Sequence, residues 1–126
     1  MPGGFIKIYP TVDLPKLRSL LELRILVRKC IAESEAVIGK APAGLRFKPM
    51  KSQWGSCNSA GVIALNTRLM FLPERLVAYI VHHEVAHLKI RAHDRAFRQA
   101  VELLFPDRIS LDRQLHAAGP ILRQKI

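Results

Sequence analysis

The chain contains little cysteine, no long apolar run and few acidic residues. Its 126 residues include only two cysteines, Cys30 and Cys57, so a scaffold held together by disulfides is excluded, and unpaired thiols fit a reducing compartment. No segment approaches the ~20 consecutive apolar residues that a membrane-spanning helix needs. The N-terminus, Met1-Pro2-Gly3-Gly4-Phe5, lacks the basic and apolar regions of a signal peptide. We therefore expect a cytoplasmic protein that does not bind membranes.

The shortage of acidic residues gives the chain a strongly positive charge. It has 10 Asp and Glu against 20 Lys and Arg, a formal net charge of +10, and no carboxylate between Glu35 and Glu74. Such a surface attracts anions, which makes nucleic acid or another polyanion a candidate partner. We favour the simpler interpretation that these side chains are solvated, because aromatic residues are not interleaved with them as in single-strand readers.

The overall composition indicates a soluble globular protein of one domain. Hydrophobic residues make up 49% of the chain and charged residues 24%, which is typical of such proteins. We find no repeat, low-complexity tract or interdomain linker, and the length suits a single core. We therefore predict one domain over residues 1–126, in which residues 1–12 form an N-terminal arm or an edge strand, since Gly4–Tyr9 alternates loosely.

Four of the five histidines lie between His82 and His93, and three residues of this stretch, His83, Glu84 and His87, form an H-E-x-x-H motif. On a helix, residues four apart lie on the same face, so His83 and His87 can bind one cation. Catalytic zinc usually takes three protein ligands and keeps a further position for water. His93 is the obvious third ligand, and Glu84 is placed to accept a proton from that water.

The surroundings of the motif count against a chance match. The motif follows the apolar run Leu76–Val81, so its helix should be largely buried. Buried imidazole and carboxylate groups cost free energy unless they are paired or bound to something. A bound metal ion removes that cost, and we therefore favour one zinc ion per chain over an ordinary amphipathic helix.

Two neighbouring residues are weaker candidates as ligands. His82 should point about 100° away from His83 on a helix, which indicates a partly exposed residue or a supporting residue of the metal site. Glu102 could replace His93 as the third ligand, as in glutamate-type zincins, but it lies fifteen residues after His87. We rank it well below His93.

Asp94 and the cysteines allow more than one role. Asp94 can cap the following helix, orient His93 through a hydrogen bond, or do both. Cys57 could lie near the metal as a redox-active or inhibitory ligand, but we favour a buried structural thiol that packs beside Trp54. Cys30 lies on an apolar helix face and is expected in the core.

Periodicity and capping signals predict an α+β fold with a small sheet packed on the motif helix. A first helix is predicted from Leu14 to about Gly39, with Asp13 as its N-cap and Pro15 in its first turn. Strands are predicted at Leu45–Met50 and from Val62 to about Phe71.

The second half of the chain is predicted to be helical. Pro73 and Glu74 should open the motif helix, which is expected to run to about Leu88 or Ile90. A helix capped by Asp94 should follow and stop at Pro106, and a final short helix should span about Ser110 to Ala118 and end at Gly119-Pro120.

Several blocks of residues in this order resemble the YgjP-like zinc metallopeptidases, a group related to the WLM and SprT-type domains. The blocks, which lie between about Arg46 and Asp107, are Lys51-Ser52-Gln53-Trp54-Gly55-Ser56-Cys57, Ile63-Ala64-Leu65-Asn66-Thr67-Arg68-Leu69, His83-Glu84-Val85-Ala86-His87-Leu88, His93, Phe97 and Pro106-Asp107. The resemblance implies that His83, His87 and His93 bind zinc and that Glu84 is the catalytic base. It also implies a minimal zincin-like fold in which the strand around Val62–Asn66 lies near the substrate cleft.

The chain departs from the family pattern at two positions within these blocks. Gln53 stands where the family usually has Arg, and Thr67 stands where an aromatic residue is common. Much of the family's N-terminal β-rich region also has no counterpart here. These differences leave the metal site untouched, but they weaken any inference about the substrate.

We interpret the sequence as a zinc-dependent hydrolase, and specifically as a metallopeptidase that acts on a peptide or protein. One alternative is a metal-dependent hydrolase of nucleotide phosphoanhydrides, although the chain has no G-x-x-x-x-G-K phosphate loop. The other is a DNA-associated module with a structural zinc, for which Cys57 would be the fourth ligand. The sequence makes no prediction about the oligomeric state.

Overall fold

The computed structural model of the chain describes residues 16–123. The arm or edge strand predicted for residues 1–12 and the proposed N-cap Asp13 lie outside these residues. The described part contains five α-helices, three strands and a short 3-10 helix. None of its helices is both long and apolar enough to cross a membrane.

The first helix, α1 (Leu20–Ile38), begins later than predicted. Ser19 is its N-cap: the Glu22 backbone N–H donates to the Ser19 hydroxyl, and the Glu22 carboxylate accepts from the Ser19 N–H. This reciprocal capping box satisfies two backbone donors and fixes the start of the helix, so the predicted start at Leu14 is wrong. The helix ends at Gly39, whose φ of 83° suits glycine.

The sheet has three short strands, β1 (Gly44–Lys48), β2 (Gly55–Cys57) and β3 (Val62–Asn66), in the order β1-β3-β2. Strand β3 is central, parallel to β1 and antiparallel to β2. The prediction missed β2, whose three residues are too few to show a period.

The strand predicted from Val62 is too long, because β3 stops at Asn66. The Asn66 side chain accepts a hydrogen bond from the Arg68 N–H and donates to the carbonyls of Met50 and Gln53. It thereby caps the 3-10 helix Thr67–Phe71, which replaces the second half of the predicted strand.

Four helices follow, α2 (Glu74–His87), α3 (Arg95–Glu102), α4 (Arg108–Ala117) and α5 (Gly119–Leu122). The cap predicted for α3 is confirmed, because the Phe97 N–H donates to the Asp94 carboxylate. The helix predicted over about Ser110 to Ala118 corresponds to α4, but it is not the last helix, since Pro120 lies in the first turn of α5, a position that needs no backbone donor.

Helix α2 is central and contacts α1, α3, α4, β2 and β3. Apolar side chains from all of these elements form one core around it, including Leu23, Val27, Ile63, Leu65, Val77, Val81, Val85, Phe97 and Val101. The predicted α+β fold with a small sheet packed on the motif helix is therefore confirmed. The helix that carries the motif is held on several sides, which gives its side chains fixed positions.

Candidate metal centre

The structure brings together the three residues predicted to bind metal. His83 and His87 project from the last turns of α2, and residues 88–92 then reverse the chain so that His93 returns to the same point. The Nε2 atoms of His87 and His93 lie 3.0 Å apart, and those of His93 and His83 lie 3.4 Å apart. Among the described residues, this is the one group of side chains that could jointly hold a metal ion.

The orientation of the imidazole rings suits metal binding. His87 donates its Nδ1–H to the carbonyl of Ile90 at 3.0 Å, which leaves the lone pair of Nε2 directed at the other two rings. Phe97 stacks on His87 with centroids 4.3 Å apart and presents its ring to His83 and His93 in edge contacts. The buried Phe97 thus supports all three rings from one side.

Two of the three imidazole rings disfavour protonation. Burial, together with the neighbouring His87 and His93, lowers the pKa of His83 to about 4. Burial also lowers the pKa of His87. These rings are therefore neutral near pH 7, and neutral imidazole is the form that binds metal ions. Three converging imidazole nitrogens match the ligand set of a catalytic zinc site.

Glu84 lies between the metal cluster and the sheet. Its side chain is buried, and this burial raises the pKa of its carboxyl group to about 7, against an opposing effect of Arg91. A Cβ atom added to Gly55 would lie 3.2 Å from Cγ of Glu84. Strand β2 can therefore approach this carboxylate closely because residue 55 is a glycine.

His82 is placed differently from the other histidines of the motif region. It is fully buried, so the predicted partial exposure is wrong. Its Nδ1 accepts a hydrogen bond from the Ser34 hydroxyl at 2.8 Å, and its Nε2–H donates to the Ala100 carbonyl at 3.0 Å. Both ring nitrogens are occupied by the protein, and the side chain ties α2 to α1 and α3.

The weaker ligand candidates lie outside the histidine cluster. Glu102 is exposed and pairs with Arg108 at 3.2 Å. The Asp94 carboxylate caps α3. Cys57 is half-buried rather than buried, and no cysteine belongs to the cluster that the described residues form. The structure therefore offers no support for Cys57 as a fourth zinc ligand.

Arg91 connects two elements of the site, a role that was not predicted from the sequence. Its guanidinium donates to the carbonyls of Cys57 at 3.0 Å and Asn58 at 3.2 Å, and it lies 3.5 Å from the carbonyl of His87. It therefore connects the end of β2 to the end of the motif helix. Arg91 was one of several basic residues in a basic chain, so its role could not be read from the sequence.

A cavity of about 250 Å³ beside the cluster was also missed. Its lining residues come from three parts of the chain: Gln53, Trp54, Gly55, Tyr79, Ile80, His83, Glu84, Asp112 and Leu115. The Tyr79 hydroxyl donates to the Asp112 carboxylate at 2.5 Å. Asp112 lies on a short polar helix far from the motif in sequence, and nothing in its local pattern indicates that it lies near Glu84.

Comparison with known proteins supports the resemblance seen in the sequence. The model of the YgjP-like metallopeptidase domain matches residues 17–118. The solved structure of the metallopeptidase zymogen abylysin from Pyrococcus abyssi superposes with a TM-score of 0.68 at 24% identity, over 79% of this chain and 99% of that one. This second likeness concerns the fold. None of the curated proteins matches the sequence. Since the family match extends over most of the described residues, the chain belongs to the YgjP-like metallopeptidase family.

Proposed function

We propose that the protein is a zinc-dependent peptidase in which His83, His87 and His93 hold the metal and Glu84 is the general base. The observation that carries this proposal is the convergence of three imidazole Nε2 atoms at 3.0 and 3.4 Å beside a buried carboxylate. Membership of a metallopeptidase family supports hydrolysis of peptide bonds as the reaction class. The expected substrate is therefore a peptide or protein.

The donor set favours zinc over harder cations. Magnesium and calcium prefer oxygen ligands, whereas imidazole nitrogen suits zinc. The hydrogen bond that His87 Nδ1–H donates to the Ile90 carbonyl fixes the orientation of the imidazole ring that would bind zinc. A zinc ion in such a site supplies Lewis-acid chemistry, because it polarises a carbonyl group and makes water more acidic.

Glu84 supplies the proton transfer. A carboxylate whose pKa is about 7 can accept a proton from the attacking water and release it to the leaving amine, because its affinity for the proton is matched to neutral pH. Its burial beside Gly55 of β2 restrains the position of the side chain. Arg91 contributes by holding the end of β2 against the end of α2.

Fewer observations bear on the alternative substrate, the cellular location and the polyanion partner that the sequence suggested. The described residues carry no feature that favours a nucleotide phosphoanhydride substrate over a peptide. The cytoplasmic location and a polyanion partner for the basic surface stay predictions. The arrangement of three histidines without a cysteine favours a catalytic over a structural metal site.

Metal analysis and an activity assay on the same preparation test the proposal. We expect one zinc ion per chain by elemental analysis, and cleavage of casein that disappears on chelation and returns when zinc is added. Magnesium added to the chelated protein serves as the control and should not restore cleavage. Casein cleavage that survives complete removal of metal would contradict the proposal.

A further inference from the structure

The cavity beside Glu84 is acidic within a basic protein. Of the 10 acidic residues in the chain, Glu84 and Asp112 both line this cavity of about 250 Å³. His83 lines it as well, so the cavity opens onto the candidate metal centre. A substrate chain that reaches the metal would place one of its side chains here.

The cavity walls are otherwise largely apolar. Trp54, Ile80 and Leu115 line it, together with Tyr79, which is almost fully buried. Such walls suit a long aliphatic stem, whereas a charged group needs a polar partner at the far end. Apolar lining residues together with the Asp112 carboxylate match the chemistry of a lysine or arginine side chain.

The charge of Asp112 is only partly balanced by the protein. Its Oδ1 accepts a hydrogen bond from the neutral Tyr79 hydroxyl, which leaves the negative charge in place. Its Oδ2 lies 3.5 Å from Arg108, but the same guanidinium is closer to Glu102, at 3.2 Å. One guanidinium thus pairs with two carboxylates, so Arg108, Glu102 and Asp112 together carry a net negative charge.

Asp112 also remains accessible. Its side chain is 51% exposed, and an ionised carboxylate can accept up to about four hydrogen bonds. A cationic group that enters the cavity can therefore bind Asp112 without displacing Tyr79.

From this arrangement we propose that the cavity is a specificity pocket that binds a lysine or arginine side chain of the substrate, next to the scissile bond, with Asp112 as the residue that selects the positive charge. This inference rests on the proposed peptidase function for its role in catalysis. The binding preference itself can be measured without turnover.

The single tryptophan of the chain is a built-in probe, because Trp54 lines the pocket. Its fluorescence is followed while the protein is titrated with Nα-acetyl-argininamide, Nα-acetyl-lysinamide or the neutral Nα-acetyl-norleucinamide. We expect the two cationic amides to bind about fivefold more tightly than the neutral one, the upper range for a half-exposed ion pair. Equal affinities, or no change in fluorescence with any of the three, would overturn the proposal.

Two aspartate variants separate the pocket from the general charge of the protein. Asp112→Asn keeps an acceptor for Tyr79 and should remove the preference for cationic amides. Asp107→Asn is the matched control, because it removes one exposed carboxylate that pairs with Arg75 and does not line the cavity, so the preference should persist. A preference that survives in Asp112→Asn would contradict the assignment.

A cleavage map distinguishes this inference from the proposed function. The zinc-loaded protein is incubated with a mixture of peptides from a digested proteome, and the cleavage sites are identified by mass spectrometry. We expect lysine and arginine to be enriched beside the cleaved bond for the native chain and for Asp107→Asn, but not for Asp112→Asn. Cleavage without such enrichment would overturn the proposed specificity pocket. An absence of any cleavage would overturn the proposed peptidase function. In that second case the fluorescence titration still decides which side chains the pocket binds.

Discussion

His82 and His83 are adjacent in the chain, yet they serve two different regions of helix α2. His82 is fully buried, whereas His83 is partly exposed. The nitrogens of His82 are both occupied by protein groups, the Ser34 hydroxyl and the Ala100 carbonyl. The Nε2 of His83 instead faces the Nε2 of His93 at 3.4 Å. The partners of the ring nitrogens therefore distinguish a histidine that ties helices together from one that we propose as a metal ligand.

The largest effect should follow from removal of a motif histidine. His83→Ala or His87→Ala takes away one of three ligands, and we expect the purified protein to contain no stoichiometric zinc. Elemental analysis measures this directly, with His82→Ala as the control because it changes the adjacent histidine. Full zinc occupancy in His83→Ala or His87→Ala would remove these residues from the metal site.

The second-largest effect should follow from removal of His93, the proposed third ligand. His93 reaches the cluster from outside α2 and is exposed, so His93→Ala should lower zinc affinity by several orders of magnitude while leaving the helical pair in place. Titration with a competing chelator gives the dissociation constant. A larger loss in Glu102→Ala than in His93→Ala would mean that the site is of the glutamate type.

Glu84 should affect turnover without affecting the metal. Glu84→Gln keeps the volume and a polar group beside Gly55, but the amide cannot accept the proton, so turnover should fall by a factor of about a hundred or more. Zinc content should stay at the native level. Casein cleavage at the native rate would exclude Glu84 as the general base.

His82 should affect stability and its dependence on pH. His82→Ala leaves Ser34 and the Ala100 carbonyl without their partner, which should lower the free energy of unfolding by about 1–3 kcal/mol. In the native chain burial lowers the pKa of His82, so the folded state binds the proton less well than the unfolded state. Stability is therefore full above pH 6.5 and is lost as the pH falls below it.

Urea unfolding of the metal-free protein at pH 7 and pH 5 checks this pH effect. His83 and His87 also have lowered pKa values, so the native chain should lose stability between these two conditions, and His82→Ala should lose less. An identical loss in the variant would show that His82 does not contribute to the acid sensitivity.

The smallest effect should come from Glu102. Its carboxylate is exposed and forms a surface pair with Arg108, and such pairs contribute about 0–1 kcal/mol. Glu102→Ala should therefore change the unfolding midpoint slightly and leave zinc binding unchanged. A loss of zinc affinity greater than tenfold would place Glu102 in or next to the metal site.

The sequence could have predicted more of the local structure than it did. Ser19 and Glu22 form a capping box that is visible in the sequence, and it marks the start of α1 better than Asp13 and Pro15 did. By contrast, the hydrogen bonds by which Asn66 ends β3 reach the carbonyls of Met50 and Gln53. A contact over that separation leaves no periodic signal, so the strand was extended too far.

Local geometry explains what the sequence determined by itself. The spacing of His83 and His87 places both rings on one helical face whatever surrounds the helix, and the cap at Asp94 depends on residues within one turn. The α+β class followed from periodicity and from the stops between elements. These predictions needed no knowledge of which elements pack together.

Only the tertiary structure decided the rest. The return of His93 to the cluster, the enclosure of His82 between Ser34 and Ala100, and the approach of Asp112 to Tyr79 all join residues on different elements. Such contacts depend on how α1, α3 and α4 pack around α2, because packing and not spacing along the chain fixes distances between elements. The helical histidine pair is thus a property of the sequence, whereas the third histidine's position and the cavity beside Glu84 are properties of the packed fold.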